Sequence, residues 1–232
     1  MKLFWYVIAL AVLVFALSLF LQANAIGVEG NTRYGTEEII AASQLMTGGS
    51  LVVFDKSGAE QRVKDAFPYV ERVTVKRKLP DTLMISITES VPLARIRLDD
   101  GTVALIERNG KVVEVAPGST EGIELRGLTP LNCVPGEPYP TESELDAEAL
   151  DYALEILAAL DANGLSGHVT YIQAGILVPS FDYDGYFTVE IGTRERTAEK
   201  IEFFAASLDS MPKGFPARID LSIVGYAHYI PL

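Results

Sequence analysis

The chain is poor in the residues that carry most enzymatic chemistry. Its 232 residues include one cysteine, Cys133, and two histidines, His168 and His228. A single cysteine excludes an internal disulfide, so any unit folded outside the cytoplasm must rest on its packed core. Cys133 reads as a small, partly buried apolar residue. A nucleophilic thiol needs a base beside it, and neither histidine stands in a recognisable relation to Cys133. The same spacings offer no zinc set. Positive charge is also scarce: 19 Lys and Arg against 31 Asp and Glu give a formal net charge of -12 at pH 7. A polyanion would be repelled, which argues against nonspecific nucleic-acid binding. A phosphate loop is missing as well, because "FDKSG" has Asp55 where glycine is needed ahead of Lys56-Ser57. Asp182 and Asp184, before Gly185, lack the further oxygen ligands of a calcium loop and read as a turn. The many carboxylates read as solvated faces. No cofactor, metal or catalytic set is expected.

What is present is apolar material: 49% hydrophobic residues against 22% charged ones, enough for sizeable cores and too much for pervasive disorder. Leu3 to Leu21, "LFWYVIALAVLVFALSLFL", carries no charge. As a helix it would run about 28 Å, close to the hydrocarbon thickness of a bilayer. Trp5 and Tyr6 sit near one end, where amphipathic rings favour the interface. Lys2 and the amino terminus are the only positive charges before the run, so the N-terminus is expected in the cytoplasm and everything after Leu21 outside. Ala23-Asn24-Ala25 also has the look of a signal-peptidase site, but the apolar run exceeds a usual h-region of about 7–15 residues. An anchor is the favoured reading, and both readings export the rest. The tip before the span is too short for a cytoplasmic function.

Beyond the span, Ala25 to Glu29 reads as a strand, closed by a turn at Gly30-Asn31. Thr36 can cap a helix, with Glu37 and Glu38 at its positive end and Ile39, Ile40 and Ser43 inward. Gly48-Gly49 closes that segment. A second helix is expected over Lys56 to Phe67, with Ala59, Val63 and Phe67 inward, Glu60, Arg62, Lys64 and Asp65 outward, and Pro68 as its stop. In "YVERVTVKRKLPDTLMISITES" Val73 and Val75, then Leu83, Ile85 and Ile87, alternate with polar residues about Pro80-Asp81. That is a hairpin with one buried face. The order β-α-α-β-β describes a small sheet covered by two helices.

These residues carry a resemblance. "VEGNTRYGTEEIIAAS", Asp55-Lys56 and "FPYVERVTVKRKLPDTLMISITESVPLARI", placed just after one membrane span, resemble the POTRA domain of the FtsQ/DivIB cell-division family. The pattern P-x-V-x-x-V-x-V-x-R-x-L-P-D-T-L-x-I-x-I-x-E-x-x-P-x-A covers Pro68 to Ala94. POTRA units of outer-membrane assembly and two-partner secretion proteins precede a long barrel, for which this chain has no room.

After Pro92 the chain becomes strand-rich. "LARIRLDDGTVALIERNGKVVEVAP" holds three short strands with turns at Asp99-Asp100-Gly101 and Asn109-Gly110. Pro117 to Pro140 reads as a loop with one short strand. A helix starts near Thr141, with Thr141 and Glu144 as a capping box, Leu145, Leu150, Leu154, Leu157 and Leu160 on its apolar side, and Asn163-Gly164 at its end. Two or three strands follow around Asp184-Gly185. Thr193 can cap a last helix with Ile201, Phe204, Ala205 and Leu208 inward. "ARIDLSIVGYAHYIPL" supplies two final strands divided near Gly225.

This half resembles the β domain of the same family. "VEIGTRERTAEKIEFFAASL" fits a glycine-ended strand and a helix with an inner lysine, here Lys200, while "RIDLS" has Ser222 where the family commonly has arginine. The expected fold class is α+β. Residues 1–24 form a short cytoplasmic tip and transmembrane helix, 25–91 a POTRA domain, and 92–232 a mixed β-rich domain with two helices. The resemblance implies a non-enzymatic divisome scaffold in the cell membrane at the septum. It implies FtsL-type and FtsB/DivIC-type bitopic partners and an indirect role in septal peptidoglycan synthesis. Interactions that the family's cytoplasmic tail makes are not expected here, because that tail is almost absent. The resemblance also implies that the last strand is an exposed edge with which a partner pairs. By position this covers Val224 to Pro231, with Val224, Tyr226, His228, Tyr229 and Ile230 as contacts. Lys76, Arg77 and Lys78 stand out on an acidic chain as a contact for anionic lipid or an acidic partner. The rival readings are a POTRA-bearing chaperone or transport adaptor, and an exported enzyme acting on cell wall.

Overall fold

The computed structural model describes residues 22–51, 53–212 and 214–232, together with Trp5, Tyr6, Ile8 and Val12. The span expected over Leu3–Leu21 lies outside the described residues apart from those four positions. Among the described residues no helix is long and apolar enough to cross a membrane. Contacts divide the chain into two units, Met1–Ser90 and Val91–Leu232.

The first unit runs β1 (Ala25–Glu29), α1 (Thr36–Ser43), α2 (Lys56–Ala66), β2 (Val70–Lys78) and β3 (Thr82–Glu89). Its sheet has the order β1-β3-β2, with β1 parallel and β2 antiparallel to the central strand. Parallel pairing needs a crossover, and the two helices belong to it. Alternation along β3 buries Leu83, Ile85 and Ile87; Ile85 and Ile87 join Val70, Val75, Ile39, Ala59 and Val63 in one cluster. Gly30 has φ +82°, and a Cβ there would stand 2.1 Å from the Ile87 carbonyl oxygen, so the turn after β1 admits only glycine. Glu89 pins the same turn by accepting the Thr32 hydroxyl and the N–H groups of Thr32 (2.9 Å) and Arg33 (3.0 Å).

Several local expectations are corrected. The N-cap of α1 is Gly35, whose N–H donates to Glu38 Oε2 at 3.2 Å, and Thr36 is the first helical residue. The helix ends on Gln44 in the left-handed region, φ 55°, before Gly48-Gly49 is reached. Arg62 and Glu60, expected on a solvated face, are both half-buried and engaged. Arg62 donates from Nε (3.2 Å) and Nη2 (2.9 Å) to the Ser43 carbonyl and from Nη1 to Asp55 Oδ2 (3.0 Å). It thereby neutralises the negative end of α1. Glu60 accepts the Val75 N–H at 2.7 Å.

The second unit is one nine-stranded sheet. Its strands are β4 (Ala94–Arg97), β5 (Thr102–Ile106), β6 (Val112–Pro117), β7 (Ile123–Arg126), β8 (Tyr171–Gln173), β9 (Ser180–Tyr183), β10 (Phe187–Glu190), β11 (Ala217–Asp220) and β12 (His228–Pro231). The spatial order is β12-β11-β10-β9-β8-β7-β4-β5-β6. Two helices, α3 (Glu144–Ala162) and α4 (Thr197–Ser207), supply the rest of the core. Leu150, Ala153, Ile156, Leu157 and Leu160 of α3 cluster with alternate residues of the strands, among them Ala94, Ile96, Ala104, Ile106, Phe181, Val189 and Ile219. Here too the caps differ from expectation. Ser143 caps α3 by accepting the Asp146 N–H at 3.1 Å, in place of the Thr141–Glu144 box. Leu145, in the first turn, is 65% exposed. The last helix begins at Thr197 after Arg196, φ 56°, so Thr193 is not its cap.

Replacing Arg62 by Ala leaves the Ser43 carbonyl without its cationic partner. We expect a loss of about 1 kcal/mol, measured by thermal unfolding of the full chain in detergent. Arg62→Lys should recover only part of it, since an ammonium cannot reproduce the forked contact.

Candidate functional site

The C-terminal strand closes one end of the nine-stranded order. β12 is antiparallel to β11, with Ala217 opposite Pro231, Arg218 opposite Ile230, Ile219 opposite Tyr229 and Asp220 opposite His228. The Leu232 N–H donates to the Pro216 carbonyl at 3.2 Å. Hydrogen-bonded and non-bonded pairs alternate along an antiparallel ladder, so His228, Ile230 and Leu232 turn their main-chain groups toward β11. Tyr229 then turns its N–H and C=O outward, as Pro231 does its C=O. Pro231 has no N–H to offer, which is why it fits an edge strand at that parity.

Side chains alternate with the opposite sense. The Tyr229 ring lies edge-on to Phe187, with centroids 6.1 Å apart at 88°. Beside it opens a cleft of about 460 Å³ lined by Phe203, Ser207, Met211, Tyr226, Ala227 and Tyr229. In the core of the same unit Phe204 meets Phe181 and Tyr183 edge to face at 5.7 and 5.3 Å. Tyr226 is 70% exposed at the rim.

The elements that hold this edge are tied from below. Lys200 is buried, and its Nζ donates to the carbonyls of Ile191 (3.0 Å) and Thr193 (2.7 Å). One side chain thus joins the exit of β10 to the start of α4. Desolvation pushes the Lys200 pKa down from its ordinary value. A Cβ on Gly192, φ +75°, would stand 2.9 Å from Ser222 Cα, so glycine there lets β10's exit pass close under the turn after β11. Asp220 shapes that turn by accepting the Ser222 hydroxyl (2.6 Å) and N–H (2.8 Å). The Ser222 hydroxyl, followed by its N–H, holds the Asp220 carboxyl below the usual carboxylate range.

His228, Tyr229 and Ile230 therefore lie in the edge strand, whereas Val224 and Tyr226 sit on the turn before it. Phe203 and Met211 were not expected here. The signal for Phe203 was present: it is a large apolar residue next to the inward Phe204, on the helix side that periodicity leaves outside. The basic run Lys76, Arg77 and Lys78 belongs to β2 of the first unit, is exposed, and is not part of this site. Asp182 is buried and accepts the N–H groups of Thr170 (2.9 Å) and Tyr171 (2.8 Å). Asp184, φ 53°, sits at the turn, 2.8 Å from His168 Nδ1. Asp55 caps α2 through the Gly58 N–H. Burial pushes the half-buried Cys133 thiol up.

The opposite end of the sheet differs. There the segment Gly136–Tyr139 lies alongside the start of β6: Val112 N–H donates to Glu137 O, Gly136 N–H to Val112 O, and Tyr139 N–H to Gly110 O, at 2.8–2.9 Å.

A family model described as "POTRA domain, FtsQ-type" matches residues 21–90. The chain is similar to cell division protein FtsQ of Corynebacterium glutamicum, 30% identical over 107 residues, which cover 46% of this chain and 47% of that protein. It is similar to FtsQ of Mycobacteroides abscessus, 31% identical over 173 residues, or 74% of this chain and 51% of that protein. Cell division protein DivIB of Lactococcus lactis is 26% identical over 128 residues, 52% and 32% respectively. The chain spans about half the length of these relatives, or less.

Replacing Lys200 by Met strands two carbonyls and should cost about 1–3 kcal/mol, read from denaturant unfolding. The Asp220 carboxyl is depressed in the fold, so its contribution is full above the unfolded value of 3.8 and is lost as pH falls through the lower folded value. Protection of the Ser222 amide, its exchange measured against the intrinsic rate at each pH, should fall on acidification below about pH 4, and Asp220→Ala should lose that protection at every pH.

Proposed function

The chain belongs to the FtsQ/DivIB family of cell-division proteins, and we propose that it acts in the divisome as a non-enzymatic extracytoplasmic scaffold whose last strand is completed by a strand from a partner. The observation that carries this reading is the edge at β12: outward main-chain groups at Tyr229 beside an apolar cleft. Strand addition draws affinity from main-chain hydrogen bonds and specificity from pockets for alternate side chains. The geometry suits both. A partner residue opposite Tyr229 finds a donor and an acceptor, and a neighbouring apolar side chain can enter the cleft between Phe203, Met211 and Tyr226. Pro231 limits the added ladder toward the C-terminus, because it offers only an acceptor.

The partners in this proposal are the FtsL-type and FtsB/DivIC-type bitopic proteins, and the outcome is recruitment and regulation of septal peptidoglycan synthesis. The proposed topology keeps Leu3–Leu21 in the cell membrane, the N-terminus in the cytoplasm, and both folded units outside.

Tyr229→Lys puts a cation against Phe187 and the cleft and should weaken capture of the FtsB/DivIC-type partner at least tenfold. Tyr226→Lys, at an exposed turn position, should weaken it several-fold with an unchanged melting temperature. Native capture by both variants would overturn the edge model. In-cell cross-linking from position 226 should give a few discrete bitopic partners; a broad smear of unrelated clients would favour a chaperone or transport adaptor.

A further inference from the structure

A second surface lies where the first unit begins. The chain enters it at Gln22, directly after the uncharged run that ends at Leu21. Two loops are bonded to these first residues. The loop after α1 is held by Ala23 N–H to Gly49 O and Gly48 N–H to Ala23 O, both 2.8 Å, and by a bridge between Gln22 and Ser50. The tip of the β2–β3 hairpin is held by the N–H groups of Asn24 (2.8 Å) and Ala25 (3.3 Å), which both donate to Asp81 O, and by Asn24 Nδ2 to Asp81 Oδ2 (3.3 Å). Ala23, Leu51 and Leu83 pack together beneath them.

Both loops carry large apolar side chains in the open. Met46 is 78% exposed, Val53 80% and Leu79 75%; Met46 and Val53 line one small cleft with Ala23. Cations surround them. Lys76, Arg77 and Lys78 lead into the hairpin tip and are exposed. The Arg77 guanidinium stands 5.6 Å from the Phe54 ring centroid, and Lys56 Nζ stands 3.7 Å from Glu60. The carboxylates nearby are engaged: Asp55 with Gly58 and Arg62, Asp81 with Asn24 and Thr82. On a chain of net charge -12 this is a local reversal of sign. Solvent-facing apolar tips within a basic rim are costly in water, and they match the headgroup boundary of an anionic bilayer.

We infer that this end of the first unit rests on the membrane, with Met46, Val53 and Leu79 in the headgroup boundary and Lys76, Arg77 and Lys78 against anionic lipid. The inference rests on Leu3–Leu21 being the span. The contact restrains the unit at the point where it leaves the bilayer.

The test uses the full chain in a Cys133→Ser background, reconstituted in phosphatidylglycerol nanodiscs. Single cysteines at positions 46, 53 and 79 carry an environment-sensitive fluorophore. Position 71 at the start of β2, some 23 Å along the strand from Lys78, is the solvent reference, and position 12 reports the span. Headgroup spin-labelled lipid should quench positions 46, 53 and 79 at least threefold more than position 71. The triple change K76E/R77E/K78E, and phosphatidylcholine discs, should each lower that ratio at least twofold, with the fold intact by circular dichroism. Quenching at 46, 53 and 79 equal to that at 71, while acyl-chain spin label quenches position 12, overturns the inference alone. An unquenched position 12 overturns the span and the inference with it. Shielding of the three positions only after addition of an acidic partner protein overturns lipid in favour of protein.

Discussion

An open β-sheet must end, and each terminal strand turns a row of N–H and C=O groups away from its only neighbour. The two units treat those rows differently. At β2 a side chain takes part of the row, since the Glu60 carboxylate accepts the Val75 N–H. At β6 the chain lays its own backbone along the strand start, through Gly136–Tyr139. At β12 the outward groups of Tyr229 stand beside a cleft instead. The proposed docking at β12 follows from this unequal cover. A backbone edge is recognised by geometry and main-chain bonding, so it needs neither a titrating group nor a metal.

An edge binds well only if it is already in the bound shape, because ordering a loose strand subtracts from the affinity. Under the proposed strand addition, the features below β12 serve that end. Lys200 holds two carbonyls at the exit of β10, Gly192 lets the next turn approach within contact distance, and Asp220 fixes that turn through Ser222. The Ser222 hydroxyl satisfies Asp220 locally and so keeps that turn. The first unit uses the same economy: Arg62 and Glu89 each satisfy main-chain groups of a neighbouring segment, so small helices and a three-stranded sheet hold together.

The strands were legible because period-two burial is written in single segments. Leu83, Ile85 and Ile87 announce β3, and Asn109-Gly110 announces the turn between β5 and β6. The helices were legible in their middles and not at their ends. Thr36, Thr141 and Thr193 all looked like caps, yet Gly35, Ser143 and Arg196 hold those places. Any hydroxyl near an apolar run can cap; which one does so depends on how the chain arrives from the preceding loop. Leu145 obeys the stripe of α3 but sits in its first turn, where it stays exposed. Arg62 and Glu60 looked solvated because their acceptor and donor lie in other segments.

By itself the sequence determined the order of elements, most of their inward positions, the acidic character and the kinship of the first unit. All of these depend on neighbours within a few residues or on composition. Tertiary structure decided which strands lie at the margins, that Phe203 and Met211 stand beside Tyr229, and that Met46, Val53 and Leu79 gather with a basic run around residues 22–25. Those facts arise when segments far apart in the chain pair and pack, and local periodicity holds no record of which partner a strand will find.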